Sequence, residues 1–329
     1  SSSGLRVFLG NGKMIEDERE YLTRKELYGF LIAICAFGLA STLPMFNTGY
    51  GLSLGVTIAM YTVLATSWAL FSGPTHYISL ATAAFFGLGM YVVGSGLDFF
   101  PFFALVGIAA LLGAALAGLV GLATLRLSGI YFVIFTLGLA EFIRQIVTWV
   151  QTTMGTSSGL YVLIETNEQT IYWQLLGLAA FVYLIGWWID RSRLGFALRI
   201  IGNDEEVAKH SGINTALVKV FLFMISGSIA STTGALLAPR WTYIEPTLAF
   251  SPMLSFLVVI MALVGGAHRI WGPILGVIPF ALVWDFITAQ FPNQTALMLG
   301  VAFLLVVYAI PNGIGGQGEK YWAKFKHWR

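Results

Sequence analysis

The chain has 329 residues, 57% of them hydrophobic and 10% charged, with 18 Lys and Arg against 16 Asp and Glu for a formal net charge of +2. Soluble domains carry about 25% charge, so this composition, with a mean hydropathy of +0.79, excludes an ordinary soluble protein. The near-neutral balance excludes a nucleic-acid binder working through a broad basic face, and the single cysteine, Cys35, excludes an intrachain disulfide or a thiolate-cluster metal site.

The first 26 residues are polar, with Glu16, Asp17, Glu18, Arg19 and Glu20 in a row and no apolar core of a signal peptide. They predict a cytoplasmic tail. Met14 is a candidate natural start, in which case residues 1–13 are foreign to the chain. Ten apolar runs follow, at roughly 27–45, 52–72, 78–96, 101–124, 130–150, 171–190, 216–238, 252–268, 272–291 and 295–311. A spanning helix needs about 20 mostly apolar residues, so the expected fold is an all-α integral membrane bundle of about ten transmembrane helices. Residues 27–311 form the transmembrane domain, and 312–329 a cytoplasmic basic and aromatic tail. Most of the runs are apolar on all faces, as in lipid or a buried bundle. The eighth, 252–268, is short enough to span or to be re-entrant. Small residues four apart, at Gly51/Gly55, Ala110/Ala114/Gly118 and Gly272/Gly276, predict close helix packing. The alternating ten-residue segments of a membrane β-barrel are absent.

Orientation follows from the basic residues. With the N-terminus inside, one side holds Arg6, Lys13, Arg19, Arg24, Lys25, Arg126, Arg191, Arg193, Arg199, Lys209, Lys219, Arg269, Lys320, Lys324, Lys326 and Arg329; only Arg144 and Arg240 of the 18 lie within or toward the other side. The expected topology is N-in and C-in.

The longest internal hydrophilic interval, residues 191–215, predicts a short helix. Asn203 or Asp204 can cap its N-terminus, and Asp204, Glu205 and Glu206 place negative charge in its first turn, where the helix dipole favours it. Lys209 and His210 fall in its last turn and Gly212 suits the residue past its end. At about eight residues and about 12 Å, such a helix is marginal alone and requires a docking surface.

Ionisable groups inside the membrane are costly and therefore functional candidates. Glu141 and Arg144, three apart, share a helical face and can pair; Asp285 stands alone on the ninth run. Either they border a translocation path, or the pair is structural and Asp285 a packing partner. Gly51-Leu-Ser53-Leu-Gly55 and Gly155-Thr-Ser157-Ser-Gly159 match Gly-x-Ser-x-Gly, but neither has the strand-turn-helix context of a nucleophile elbow. His76, His210, His268 and His327 lack metal-ligand spacing. No catalytic, cofactor or metal site is expected.

Three stretches resemble one family. Leu194-Gly195 through Arg199, Glu205-Glu206-Val-Ala208, Gly212-Ile213-Asn214 and Lys219, continuing into Ser226 to Ala230 and Gly234, is similar to the coupling loop and following helix of branched-chain amino-acid ABC importer permeases of the LivM type. Leu127-Ser-Gly129-Ile-Tyr131 through Thr136, Gly138, Glu141 and Arg144 resembles that family's fifth helix, and Gly265-Gly266 with Trp271-Gly272-Pro273 and Gly276 its later Gly-Gly hairpin. In Ser79-Leu80-Ala81-Thr82, Ala81 and Thr82 stand where the family has Gly-His.

The resemblance implies a type II importer-like bundle in a bacterial-type plasma (inner) membrane. It implies a non-enzymatic permease subunit for branched-chain or other amino acids, with urea, short amides or carboxylates as alternatives. Arg199, Asp204, Glu205, Glu206, Ala208, Lys209 and Gly212 would dock on a separate cytoplasmic ATPase, while Tyr131, Thr136, Glu141, Arg144 and Asp285 are candidates for the path. The chain has no Gly-x-x-x-x-Gly-Lys-Ser/Thr phosphate loop, so ATP and Mg would be held by that partner. An extracytoplasmic solute-binding protein and a second, related permease complete the expected assembly. An ion-coupled secondary transporter using Glu141 or Asp285, or a membrane-embedded enzyme, are the competing readings.

Overall fold

The structure, a computed structural model, describes residues 36–46, 49–124, 130–153, 159–164, 166–267 and 269–309. Cys35, Arg126, the Leu127–Gly129 start of the fifth-helix motif, Ser157, His268, His327 and both tails lie outside them. The chain divides into two units, Ser1–Leu52 and Ser53–Arg329. In the first, a short helix at 36–41 is followed by a single turn at Leu43–Phe46, with the Ser41 and Thr42 hydroxyls donating to the Gly38 and Leu39 carbonyls.

Twelve helices carry the argument: α1 (Tyr50–Thr75), α2 (Thr82–Gly96), α3 (Phe102–Thr124), α4 (Ile130–Thr153), α5 (Glu168–Arg191), α6 (Arg193–Asn203), α7 (Glu205–His210), α8 (Thr215–Leu237), α9 (Pro246–Ala249), α10 (Pro252–Gly265), α11 (Gly272–Gln290) and α12 (Thr295–Ala309). Among the described residues seven helical segments are long and apolar enough to cross a membrane: α1, α3, α4, α5, α8 with the turn after it, α9 with α10, and α11. The third expected run yields only the 15-residue α2. Its first residues are not helical. α1 ends at Thr75, just past Pro74; His76 is left-handed, with φ of 58°, and residues 76–80 are neither helix nor strand before a turn at Ala81 leads into α2.

Backbone without a helix is tolerated inside a membrane only where protein satisfies its polar groups. Here the Trp68 indole donates to the Ser79 carbonyl at 2.7 Å, the Leu80 amide donates to Thr136 Oγ1 at 3.0 Å, and Ser255 Oγ donates to the Leu80 carbonyl at 2.8 Å while accepting from the Ala83 amide at 2.9 Å.

α8 forms the centre, packed on α2 and α3, and small residues permit the approach. A methyl group on Gly89 would strike the Ser231 carbonyl, one on Gly234 the Phe86 carbonyl, and one on Gly113 the Gly227 carbonyl. The buried stripe of α3 is Ala109, Gly113 and Ala117, with Gly118 at its margin. The Ala110/Ala114 register is therefore one residue off, because a helix apolar all round does not declare which face meets its neighbour. Gly272 and Gly276 do pack as expected, against Gly266 and Met261 of the α10–α11 hairpin.

Enclosure is uneven. Of the apolar windows, 78% of α1 and 67% of α8 are enclosed, against 22% of α4. The fold is not wholly helical either: β1 (Leu160–Tyr161) pairs antiparallel with β2 (Tyr243–Ile244), Leu160 opposite Ile244, tying the α4–α5 connection to the one after α8.

Candidate functional site

The hydrophilic interval folds as two helices, one of which periodicity had not announced. Ser192 caps α6 by accepting from the Leu194 amide, and Gly195, Ala197, Leu198 and Ile201 are its buried positions. Phe196 and Arg199 are exposed, and Arg199 pairs with Asp190 at 2.9 Å. After Asn203 the chain turns at Asp204, whose Oδ1 accepts from the amides of Glu206 (2.8 Å) and Val207 (3.3 Å) and so caps α7. At the other end the Ile213 amide donates to the Ala208 carbonyl and the Gly212 amide to the Lys209 carbonyl, a Schellman closure that needs the left-handed φ of 80° at Gly212. The helix has six residues, shorter than the eight expected.

What it docks against is the start of α8. Ala208 is fully buried. Glu205 turns inward: its Oε2 accepts from Lys219 Nζ at 2.6 Å and its Oε1 from Thr215 Oγ1 at 3.2 Å. Lys219, 1% exposed, also stands 4.3 Å from the centre of the Tyr77 ring. Partial burial raises the Glu205 pKa, but the hydrogen bond and charge of Lys219, helped by Thr215, outweigh it and hold the carboxyl below its ordinary range. Outward stand Glu206, Val207, Lys209 and His210. Lys209 is bound to Glu206 at 3.0 Å, and that hydrogen bond raises its pKa.

Glu205 and Ala208 are thus turned into the bundle, whereas Asp204, Glu206, Lys209 and Gly212 remain on the exposed surface, as does Arg199 on α6. Val207, 52% exposed, had given no signal in the sequence beyond an apolar residue in a polar loop. Lys219 stands in the sequence as a basic residue of the stretch that resembles the coupling loop, but its pairing with Glu205 is not readable there, since the partner is 14 positions away around a turn.

The path candidates separate. Glu141 and Arg144 are brought together in a two-pronged pair, Arg144 Nε donating to Glu141 Oε2 at 2.9 Å and a guanidinium nitrogen to Oε1, with Gln145 adding a bond of 3.0 Å. Tyr131 lies exposed on the same helix, α4. Thr136 is fully buried and holds the Leu80 amide. Asp285 is on α11, which packs on α10 and α12. A cavity of about 510 Å³ opens between the ends of α1 and α5, α6 and the α10–α11 hairpin, lined by His76, Asp190, Arg199 and Arg269 among others. Ser53 lies within α1 and accepts from Arg240 at 2.6 Å, which is no setting for a nucleophile.

Residues 51–310 match the family described as the branched-chain amino acid transport system permease component. The chain belongs to this family. The permease is 30% identical over 157 residues to LivH of Salmonella typhimurium, a high-affinity branched-chain amino acid transport system permease protein, covering 47% of this chain and 49% of LivH. It is 24% identical to LivM of Escherichia coli over 83% of this chain and 68% of that one. It is also 23% identical to the ribose import permease protein RbsC of Haemophilus influenzae, over 66% of this chain and 70% of RbsC. The permease thus spans about half the length of LivH, and its relatives carry chemically unlike solutes in their names. It is a multi-pass membrane protein of a family of transport components.

Proposed function

We propose that the permease forms the translocation pathway of an ATP-driven importer in a bacterial-type inner membrane, with α7 as the helix on which a separate cytoplasmic ATPase seats. The observation that carries this is α7 itself: a six-residue helix capped at both ends and fastened to α8 by Lys219, with Glu206, Val207, Lys209 and His210 turned outward. A helix so short gains stability only from docking, and its outward ridge offers a partner an apolar centre between charges. Arg199, Asp204 and Gly212 flank that ridge. The distribution of basic residues supports a cytoplasmic position for it; on this reading residues 27–311 hold ten spans and both tails, 1–26 and 312–329, are cytoplasmic.

α4 supplies the second half of the reading. Much of its circumference is uncovered, yet it carries Glu141, Arg144 and Gln145. A charged pair facing lipid is expensive, so a second, related permease covers this face, and Tyr131, Glu141 and Arg144 line the path between the two. Thr136 shapes it from behind and Asp285 borders it from α11. Solute is delivered by an external binding protein and ATP with Mg is held by the ATPase.

Branched-chain or other amino acids are the solutes this reading favours, since a zwitterion suits a carboxylate–guanidinium pair. The similarity to RbsC supports a sugar as the second reading. The test is uptake by proteoliposomes holding the permease pair, its ATPase and its binding protein: ATP-dependent accumulation of leucine that excess ribose does not inhibit supports the first, and the reverse the second. Accumulation driven by a proton or sodium gradient without ATP overturns both.

A further inference from the structure

Lys219 is a buried cation that nothing in the translocation path employs. It sits in the second turn of α8, 1% exposed, at the point where three elements meet: α7 through Glu205, α8 itself, and the non-helical segment 76–81 through Tyr77. An ammonium removed from water is a poor way merely to fasten a helix, because well-packed apolar residues of similar volume do so at equal or lower cost. What the ion pair adds is a short, directional link that an apolar contact, free to slide, lacks.

The link continues beyond Tyr77. The Tyr77 ring meets Phe132 of α4 edge-on at 5.4 Å, and Phe132 lies 6.1 Å from Phe71 of α1 and 6.0 Å from Phe223 of α8, which reaches Phe85 of α2 at 5.5 Å. Along the backbone, Leu80 is held by Thr136 of α4 and Ser255 of α10. A displacement of α7 along its docking direction therefore draws on Glu205, Lys219 and Tyr77 in turn, and Tyr77 stands at the root of a non-helical stretch that grips both α4 and α10.

We propose that Lys219 is a positioning residue for energy coupling: paired with Glu205 and seated on Tyr77, it is the tether that converts movement of α7 into movement of segment 76–81 and thus of α4. This rests on the importer reading above. The tether acts between α7 and the membrane bundle, not between α7 and the ATPase, so its loss uncouples the two without releasing the ATPase.

The experiment uses the full complex in liposomes and reads ATPase co-purification, ATP hydrolysis and solute uptake separately. With Lys219→Met, which keeps length and loses charge, the ATPase stays bound and hydrolysis persists, while uptake per ATP falls about tenfold, within the usual span of coupling between two sites. Lys219→Arg retains most of the ratio. The exchange of partners, Glu205→Lys with Lys219→Glu, restores part of it and shows that charge, not folding, is at issue. A Lys219→Met complex with an unaltered uptake-to-hydrolysis ratio overturns the tether alone, as does one in which uptake, hydrolysis and folded protein fall in parallel. Absence of any ATPase on the unaltered permease overturns the importer reading, and the tether with it.

Discussion

Thr136 of α4 accepts a hydrogen bond from the backbone amide of Leu80 across 3.0 Å, joining two positions 56 residues apart and holding the non-helical passage between α1 and α2. Its own hydroxyl hydrogen goes to the Val133 carbonyl at 3.0 Å. Thr136→Val keeps the shape and removes the acceptor, leaving a buried amide unsatisfied, which costs about 1–3 kcal/mol. Thr136→Ser keeps the acceptor and costs less. Thermal unfolding of the purified protein in detergent ranks the three; a Val variant as stable as the parent would mean that the Leu80 amide finds another acceptor.

Glycines of the permease divide by what surrounds them. A methyl group on Gly276 would meet the Met261 carbonyl and the Gly265 amide, whereas one on Gly177 of α5 meets nothing within 4 Å. Gly276→Ala should force α10 and α11 apart and destabilise by about 1–3 kcal/mol. Gly177→Ala, in a helix interior, should be neutral or stabilising by up to about 1 kcal/mol. Melting temperatures of both variants, measured side by side, check the contrast.

Asp204 bears on α7 alone. Asp204→Ala removes the acceptor for the Glu206 and Val207 amides and should cost about 1 kcal/mol, while Asp204→Asn preserves most of the cap. Hydrogen exchange at those two amides should quicken in the Ala variant with the spanning helices unchanged. Equal protection in both variants would show that docking, not capping, holds the helix.

Acid should release α7. Because the folded pKa of Glu205 lies below its ordinary value of 4.5, its pairing with Lys219 contributes in full above that value and is lost as the pH falls through the lower, folded one. Protection of α7 should therefore be flat from neutral pH down to 4.5 and decline only below it. In Glu205→Gln, which cannot ionise, that acid-dependent component should vanish.

Some of this was legible early. The start of α7 was narrowed to Asn203 or Asp204 and its end to Gly212 because capping is local, and Glu141 and Arg144 declared their pairing because three residues along a helix bring side chains together. The direction Glu205 faces was not legible, since Thr215 and Lys219 reach it around a turn that periodicity does not describe. Nor was the break before α2. Whether residues 76–81 could remain outside a helix depended on Trp68, Thr136 and Ser255.

The sequence by itself determined a membrane chain of long apolar helices, the ends of the short helix between α6 and α8, and the charged pair on α4, which follow from composition, from run length or from neighbours within one turn; its family followed from the likeness of three motifs. Only the tertiary structure decided that the buried register of α3 runs through Ala109, Gly113 and Ala117, that β1 and β2 pair, and that α7 is fastened inward by Lys219. The reason is the uniform apolarity that makes the chain a membrane protein. A helix apolar on every side carries no record of which side meets its partner, so close packing and the few buried polar groups make that choice.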